Sequence, residues 1–477
     1  MNTQCTQESF SFHPLRRRDV VARFDGGAIT SDGGALLLRE VEQRTGLIGQ
    51  FAECFTDHRS PWLIEHTVEE LVGQRVYGLA LGYEDLNDHD ELRLDPLLAV
   101  VVGKADPTGE SRLSPHDKGK ALAGKSTLNR LELTLPNANR ATRYKKIVLN
   151  PEEVEKLFVE WFIQAHAEPP DRIVLDVDAT DDLIHGTQEG RFFHGYYRDY
   201  CYLPLYIFCG EFLLCAKLRK SDIDAAKGTV EELERIVGRI RQVWPEVPIV
   251  VRGDSGFARD KLMAWCEDNN VDFVFGLAKN KRLVKAIAGE LRAVKVMYEE
   301  TGKSSRCFKE LTYRTRKSWS RSRRVVAKAE HLAKGSNPRF VVTSFSEREF
   351  EACVLYEQQY CGRGDMENRI KEQQLYLFAD RTSTATMRAN QLRLWFSSVA
   401  YWLMQSLRRL GLEGTEMAKA QCQTIRLKLL KIGATVRITV RKVWLSLSSG
   451  YPRKTLFRQI YDKLRGQTMV RVPEVAM

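Results

Sequence analysis

The sequence predicts an α/β protein: a mixed sheet with helices on both faces, interrupted by an inserted β-subdomain and flanked by a helical N-terminal region and a basic C-terminal region. Three observations point there. The spacing of apolar residues changes from helical to alternating near Asp171. The segments that follow run three strands, helix, strand, helix, strand. Positive charge gathers in two blocks rather than along the whole chain.

Residues 1 to about 165 read as helices broken by polar turns, with apolar side chains at helical spacing over 35–41, 63–81 and 154–163. The stretch 103–125 is rich in Gly, Pro, Ser and Lys and reads as a loop or linker. Ser126 then caps a short helix through Glu132, which suits one arm of a helix-turn-helix but better a short polar helix of the ordinary kind. Residues 173–178 (Ile-Val-Leu-Asp-Val-Asp) form a short strand, followed by strands at 202–208 and 212–218 joined by the hairpin turn Cys209-Gly210-Glu211. A long amphipathic helix at about 224–243 precedes a strand at 248–252, a helix at about 259–269 and a strand at 272–277. This is the order of a ribonuclease H-like fold, and it also fits other α/β domains.

The stretch 303–345 is alternating and basic, with strands expected over 308–315, 323–330 and 339–345, and reads as a β-subdomain inserted at about 285–350. Helices are expected at 363–377 and 387–410, strands at 424–432 and 436–447, and a last helix at 454–464. The domain boundaries that follow are 1–165, 166–380 and 381–477. A chain of 477 residues is too long for one hydrophobic core, and 43% apolar residues supply a core for each part.

The net charge is +11, but it is unevenly placed. Residues 381–477 hold 18 Lys/Arg against 4 Asp/Glu, and residues 303–339 hold 12 against 2, so the remainder is net acidic. Two basic stretches beside an acidic remainder favour a track for phosphates over a uniformly solvated surface. The ten cysteines, Cys5 included, form no Cys-x-x-Cys pair and read as reduced, mostly buried residues rather than a zinc site. The N-terminal stretch with Arg16-Arg17-Arg18 lacks the apolar core of a signal peptide, and no run of about 18 apolar residues spans a bilayer. A cytoplasmic, nucleoid-associated protein without a membrane partner is expected.

Cutting a phosphodiester by direct attack of water or a 3′-hydroxyl requires a way to make the nucleophile and a way to absorb charge on the leaving oxygen. Two Mg²⁺ ions held by a few carboxylates do both, and Mn²⁺ can substitute. Asp178 ends the first strand and Asp254 follows the strand 248–252; in a ribonuclease H-like sheet those strands are neighbours. Glu367 on the later helix completes a candidate trio. An Asp after a strand is also a common turn former or helix cap. Asp176 competes with Asp178, since period-2 alternation puts both on one face, while Asp181 and Asp182 read as capping or solvating the turn. His185 and His194 read as polar turn or DNA-contact residues, because such sites prefer oxygen ligands.

These residues sit in a wider pattern: Ser31-Asp32-Gly33-Gly34-Ala35-Leu36-Leu37-Leu38, Gly195-Tyr196-Tyr197, Leu203-Pro204-Leu205 and Ala389-Asn390-Gln391, with Tyr360, Arg363 and Glu367 spaced as Tyr-(2)-Arg-(3)-Glu. Over nearly its whole length the chain resembles insertion-sequence DDE transposases of the thirteen-eighty family, in the group whose signature continues to a Lys six residues after the Glu. The resemblance selects Asp178, in Asp178-Ala179-Thr180, over Asp176, and implies Asp178, Asp254 and Glu367 as catalytic metal ligands. This sequence has Gln374 where the signature has Lys, which touches positioning of the DNA strand; Lys371 lies one helical turn beyond Glu367 and stands in as a phosphate contact. Arg363 suits bidentate phosphate binding and Tyr360 a phosphate hydrogen bond or base stacking. Trp319, set among Arg314, Arg316, Arg321, Arg323 and Arg324, reads as an exposed ring able to trap a flipped base, with Arg321 and Arg323 on the DNA. The resemblance implies cut-and-paste movement of double-stranded DNA, terminal repeats and target alike, by a homodimer through a hairpin intermediate. The N-terminal region would recognise ends, and the C-terminal region would contact DNA or dimerise. A nuclease of the same fold without strand transfer, and an inactive DNA-binding relative, share these features and differ in the products they form.

Overall fold

The computed structural model describes residues 9–466; Cys5 and the outermost parts of the regions expected at 1–165 and 381–477 lie outside the described residues. The chain forms two compact units, residues 150–398 and residues 1–149 with 399–477.

Residues 150–398 are built on a mixed sheet. Its strands are β1 (Ile173–Ala179), β2 (Leu205–Cys209), β3 (Phe212–Lys217), β4 (Ile249–Gly253), β5 (Asp272–Leu277), β6 (Ser305–Tyr313), β7 (Arg323–Leu332) and β8 (Arg339–Thr343), in the order β3-β2-β1-β4-β5-β8-β7-β6. Gly210, at φ 57°, makes the tight turn between β2 and β3. β1, β4 and β5 run parallel, as their continuous apolar sequences demand: Ile249, Val250, Val251, Phe273, Val274 and Phe275 are all buried. Helices α1 (Pro151–Gln164), α2 (Thr229–Val243), α3 (Asp260–Asp268), α4 (Ala288–Thr301) and α5 (Gly364–Leu377) precede, separate and follow the strands.

The basic stretch expected as a separate β-subdomain does not stand apart. β8 pairs antiparallel with β5, and β7 and β6 follow, so the three strands extend the one sheet. The start expected at about 285 falls instead in the helices Lys281–Ala286 and α4. β7 is paired on both sides over Arg324–Lys328, and its Val325, Val326 and Ala327 are buried, so it needs the sheet to cover them.

The other unit opens with an exposed hairpin, Ser9–Leu15 against Arg18–Arg23, ahead of the segments read as helices. Helices then prevail, among them Ala35–Thr45, Val68–Leu81, Pro96–Val102 and Lys125–Glu132. Thr67 and Glu70 cap Val68–Leu81 reciprocally, which satisfies two otherwise unpaired N–H groups. The strand expected at 424–432 is helical, Cys422–Ile425 continued by Arg426–Leu430. Its alternating sequence misleads because Arg426, polar in the pattern, turns inward and donates to the carbonyls of Leu79 and Ala80 at 3.0 and 2.9 Å. The stretch 436–447 folds back on itself as Ala434–Ile438 and Val443–Leu447, and the first of these pairs with Ile29–Thr30. No helix among the described residues is long and apolar enough to cross a membrane.

Candidate active site

The parallel register sets Val177 of β1 opposite Gly253 of β4, so Asp178 and Asp254, the next residue on each chain, emerge at the same end of the sheet. Helix α5 brings Glu367 in its first turn. All three line one cavity of about 620 Å³ together with Arg363, Lys371, Gln374, Ser255, Tyr196 and Tyr197. Burial pushes the Asp178 carboxyl up to about 6; the Arg363 guanidinium opposes that shift, and the charges of Asp254 and Glu367 add to it. Arg363 stands between carboxylates, 3.6 Å from Asp178 and donating to Glu367 at 2.5 Å. Asp254 accepts the N–H of Gly256 at 2.8 Å, which fixes the turn after β4.

Asp176 shares the β1 face but not the cavity. It is 3% exposed and receives Arg252 Nη2 at 2.7 Å, while Arg252 Nη1 donates to the carbonyl of Gln359 at 2.6 Å. That buried pair ties the sheet to the segment leading into α5. Asp178 lies on β1 two residues further along, and its cation is Arg363 of the cavity wall, at 3.6 Å.

The oxygen donors suit a hard divalent ion, and Arg363 already supplies a positive charge between two of them. Among the described residues no three His, Cys, Asp or Glu side chains stand close enough to ligate one ion together. A shared ion would therefore draw Glu367 away from Arg363.

The other sequence-predicted residues divide. Arg363, Lys371 and Gln374 are in the cavity wall. Gln374 Nε2 donates to Asp182 Oδ1 at 2.9 Å and to the Asp181 carbonyl at 3.2 Å, so Asp182 is fully buried rather than solvating a turn. Tyr360 lies behind the wall, against Gly276 and ring to ring with Tyr356 at 5.6 Å. Trp319, expected exposed, is 5% exposed; its ring meets Tyr313 edge-on at 5.7 Å and lies 5.6 Å from the Arg323 guanidinium. Arg323 is held by Glu267 and Asp260, both at 2.7 Å, and its side chain is 2% exposed, so these carboxylates absorb the charge assigned to DNA. Arg321, beside them, keeps half its surface in solvent. His194 lines the cavity, whereas His185 does not.

Sequence reasoning passed over the ring that stands out most here. Tyr196, noted only within Gly195-Tyr196-Tyr197, is 83% exposed on the cavity rim, next to Tyr197, whose hydroxyl donates to the Ala179 carbonyl at 3.3 Å. The strands Phe192–His194 and Asp199–Tyr202 present this turn. Three aromatics in six residues were the available signal.

Residues 12–469 match the model of a family described as Transposase DDE domain group 1. No curated protein matches the chain.

Proposed function

The chain belongs to the transposase DDE domain family, group 1, and on that premise we propose that it excises and rejoins an insertion sequence of the thirteen-eighty type, with Asp178, Asp254 and Glu367 as its catalytic carboxylates. The convergence of these three side chains on one cavity carries the reading. They would hold Mg²⁺ or Mn²⁺, which when bound supplies Lewis acidity for the attacking and leaving oxygens.

The chain's own residues do the rest. Arg363, drawn off Glu367, offers a planar fork to a phosphate oxygen. Lys371 on α5 adds a second positive charge in the cavity wall, a phosphate contact in place of the signature Lys where this chain has the neutral Gln374. Tyr196 stands to stack on a base at the cavity rim, the role that buried Trp319 is poorly placed for. Tyr360 packs against Gly276 of β5, the strand behind the Asp254 loop. The reaction follows cut-and-paste movement: hydrolysis frees a 3′-hydroxyl, which attacks the opposite strand to give a hairpin, and after reopening attacks the target. Two copies of the chain act on paired ends.

The test is incubation of the full chain with DNA carrying the inverted repeats that flank its reading frame, with Mg²⁺. Nicks, hairpins and joined products are expected; Asp178→Ala, Asp254→Ala and Glu367→Ala each abolish them with DNA binding retained. Nicks without joining would leave a nuclease, and binding without cleavage would sink the enzymatic reading. Tyr196→Ala is expected to cut product formation about tenfold, the loss of one stacked base; unchanged rates would remove Tyr196 from the site.

A further inference from the structure

Arg252 on β4 and Asp176 on β1 stand directly opposite each other in the parallel pair. Each lies two residues before a carboxylate of the cavity, Arg252 before Asp254 and Asp176 before Asp178, yet neither is in the cavity wall. Their side chains are 13% and 5% exposed. The guanidinium uses its whole fork: Nε and Nη2 both donate to the Asp176 carboxylate, and Nη1 donates to the Gln359 carbonyl at 2.6 Å. A bidentate contact fixes the plane of a guanidinium as well as its place, so the third nitrogen is aimed at that carbonyl.

The carbonyl belongs to a break in the helical winding. Leu355–Tyr360 is a π-helical turn and Cys361–Arg363 a 3-10 turn, after which α5 begins at Gly364. Both turns depart from regular i to i−4 bonding, and such switches gather where a functional side chain has to be aimed. Here the side chains that follow the break are Arg363, 3.6 Å from Asp178, and Glu367, which accepts from Arg363. The start of the π turn is set in the core, where Leu355 and Tyr356 cluster with Val250 of β4 and Val274 of β5. Its far end meets Arg252: a Cβ on Gly362 would lie 2.7 Å from Arg252 Nη1. One guanidinium therefore joins the three segments that carry the three carboxylates, being on β4 itself, paired with β1, and bonded to the lead-in of α5.

Stability gives little reason for this pair. A buried ion pair is on average no better for stability than apolar side chains of the same volume, and the neighbouring residues Leu175, Val177, Val250 and Val251 are buried and apolar. What the pair adds is a fixed distance between the sheet and the start of the helix.

We propose that Arg252, oriented by Asp176, is a positioning residue that holds Glu367 and Arg363 in register with Asp178 and Asp254 while touching neither DNA nor metal. The proposal rests on the reading of those three carboxylates as the reacting group, and the test separates the two.

Three variants of the full-length chain probe the contact. Arg252→Lys keeps a charge beside Asp176, but its one nitrogen cannot meet both Asp176 oxygens and the Gln359 carbonyl. Asp176→Asn/Arg252→Gln removes both charges together and leaves no buried ion alone. Gly362→Ala presses on the guanidinium from the helix side and alters neither residue. Each is compared with wild type in melting temperature, in affinity for a terminal-repeat duplex in EDTA, and in single-turnover cleavage at saturating duplex and Mn²⁺. Mn²⁺ binding without DNA is read from the free-ion electron paramagnetic resonance signal, as the increment over Asp178→Ala. Melting and duplex affinity are expected to stay near wild type. Cleavage and Mn²⁺ affinity are expected to fall about tenfold to a hundredfold in Arg252→Lys and in the double variant. Gly362→Ala should fall less, and should add little on top of Arg252→Lys, as two changes to one contact do. Wild-type cleavage and Mn²⁺ affinity per folded molecule, whatever the melting temperature, would make the pair purely structural and overturn the proposal. Duplex affinity lost in step with cleavage would put Arg252 on the DNA and overturn it as well. A wild-type chain that neither cleaves nor holds more Mn²⁺ than Asp178→Ala would instead sink the carboxylate reading, and the positioning role with it.

Discussion

Asp182 has no exposed surface and, among the described residues, a single side-chain donor, the Gln374 amide, for its two oxygens. Burial pushes its pKa up to about 8, and Gln374 only partly offsets that. In an unfolded chain an Asp ionises near 3.9. Between about pH 4 and 8 the folded protein therefore holds a proton that the unfolded chain has lost, so stability falls as pH rises through this window and levels off above it. Asp182→Asn removes the titration while keeping an acceptor for Gln374. Denaturant melts at pH 5 and pH 8 should show wild type losing on the order of 3 kcal/mol more than the variant across that interval; parallel losses would mean that Asp182 ionises normally. A Lys at position 374 would favour ionised Asp182, so Gln374→Lys should flatten the same pH dependence. Gln374 is thus matched to a protonated neighbour, which a reading of the sequence that placed Asp182 in a wet turn had no means to see: burial depends on α5 lying across the end of β1, a long-range contact.

At the scale of elements, the strands that position the carboxylates were legible because each is a short apolar run bounded by polar turns, and the parallel pairing of β1 with β4 follows from the helix between them. Asp178 and Asp176 were not separable from the pattern alone, since both sit on one face; the partner Arg252 on the neighbouring strand distinguishes them. The basic β-stretch was legible as strands but not as part of the sheet, because alternation fixes which side chains share a face and is silent on which strand lies alongside. Trp319 was misjudged for a related reason: its sequence neighbours are cations, but its spatial neighbours are Tyr313 and an Arg323 neutralised by Glu267 and Asp260. β5 carries a further constraint. A Cβ on Gly276 would sit 2.6 Å from the Tyr360 hydroxyl and 3.0 Å from the Ser255 nitrogen, directly behind Asp254. Tyr360 can swing aside, but the Ser255 backbone cannot move without Asp254. Gly276→Ala should lower DNA cleavage by about tenfold to a hundredfold, the effect of displacing a reacting group by a fraction of an ångström to an ångström, with duplex affinity unchanged. Full cleavage activity in this variant would show that the Asp254 loop tolerates the shift.

For the whole molecule, the two ends of the sequence close a single unit, and that closure also changes what the charge composition means. Gly33 and Gly34 donate to the carbonyls of Ile432 and Leu430 at 2.8 and 3.0 Å, Lys431 meets Asp32 at 2.6 Å, and Val436 donates to Ala28. Arg408 and Arg426, counted among the 18 cations of residues 381–477, are 3% and 5% exposed and bond to backbone carbonyls. Part of the C-terminal positive charge thus serves the fold, and the phosphate track inferred from composition is shorter than the count implied. The fit at the junction is tight: a Cβ on Gly34 would lie 1.9 Å from the Leu429 carbonyl oxygen and 2.7 Å from the Leu430 Cα, both backbone atoms with no rotamer to change. Gly34→Ala should therefore cost on the order of 3 kcal/mol. A chain ended at residue 398 loses the junction altogether, leaving the Leu79 and Ala80 carbonyls without Arg426 and the core residues Leu37, Leu38 and Val41 short of their cover. Amide hydrogen exchange in Ala35–Thr45 and Val68–Leu81 should rise by orders of magnitude in that truncated chain while β1, β4 and β5 stay protected, because the strands belong to the other unit. Equal protection of the two helices with and without residues 399–477 would mean that the N-terminal segment folds on its own and that the closure adds nothing to its stability.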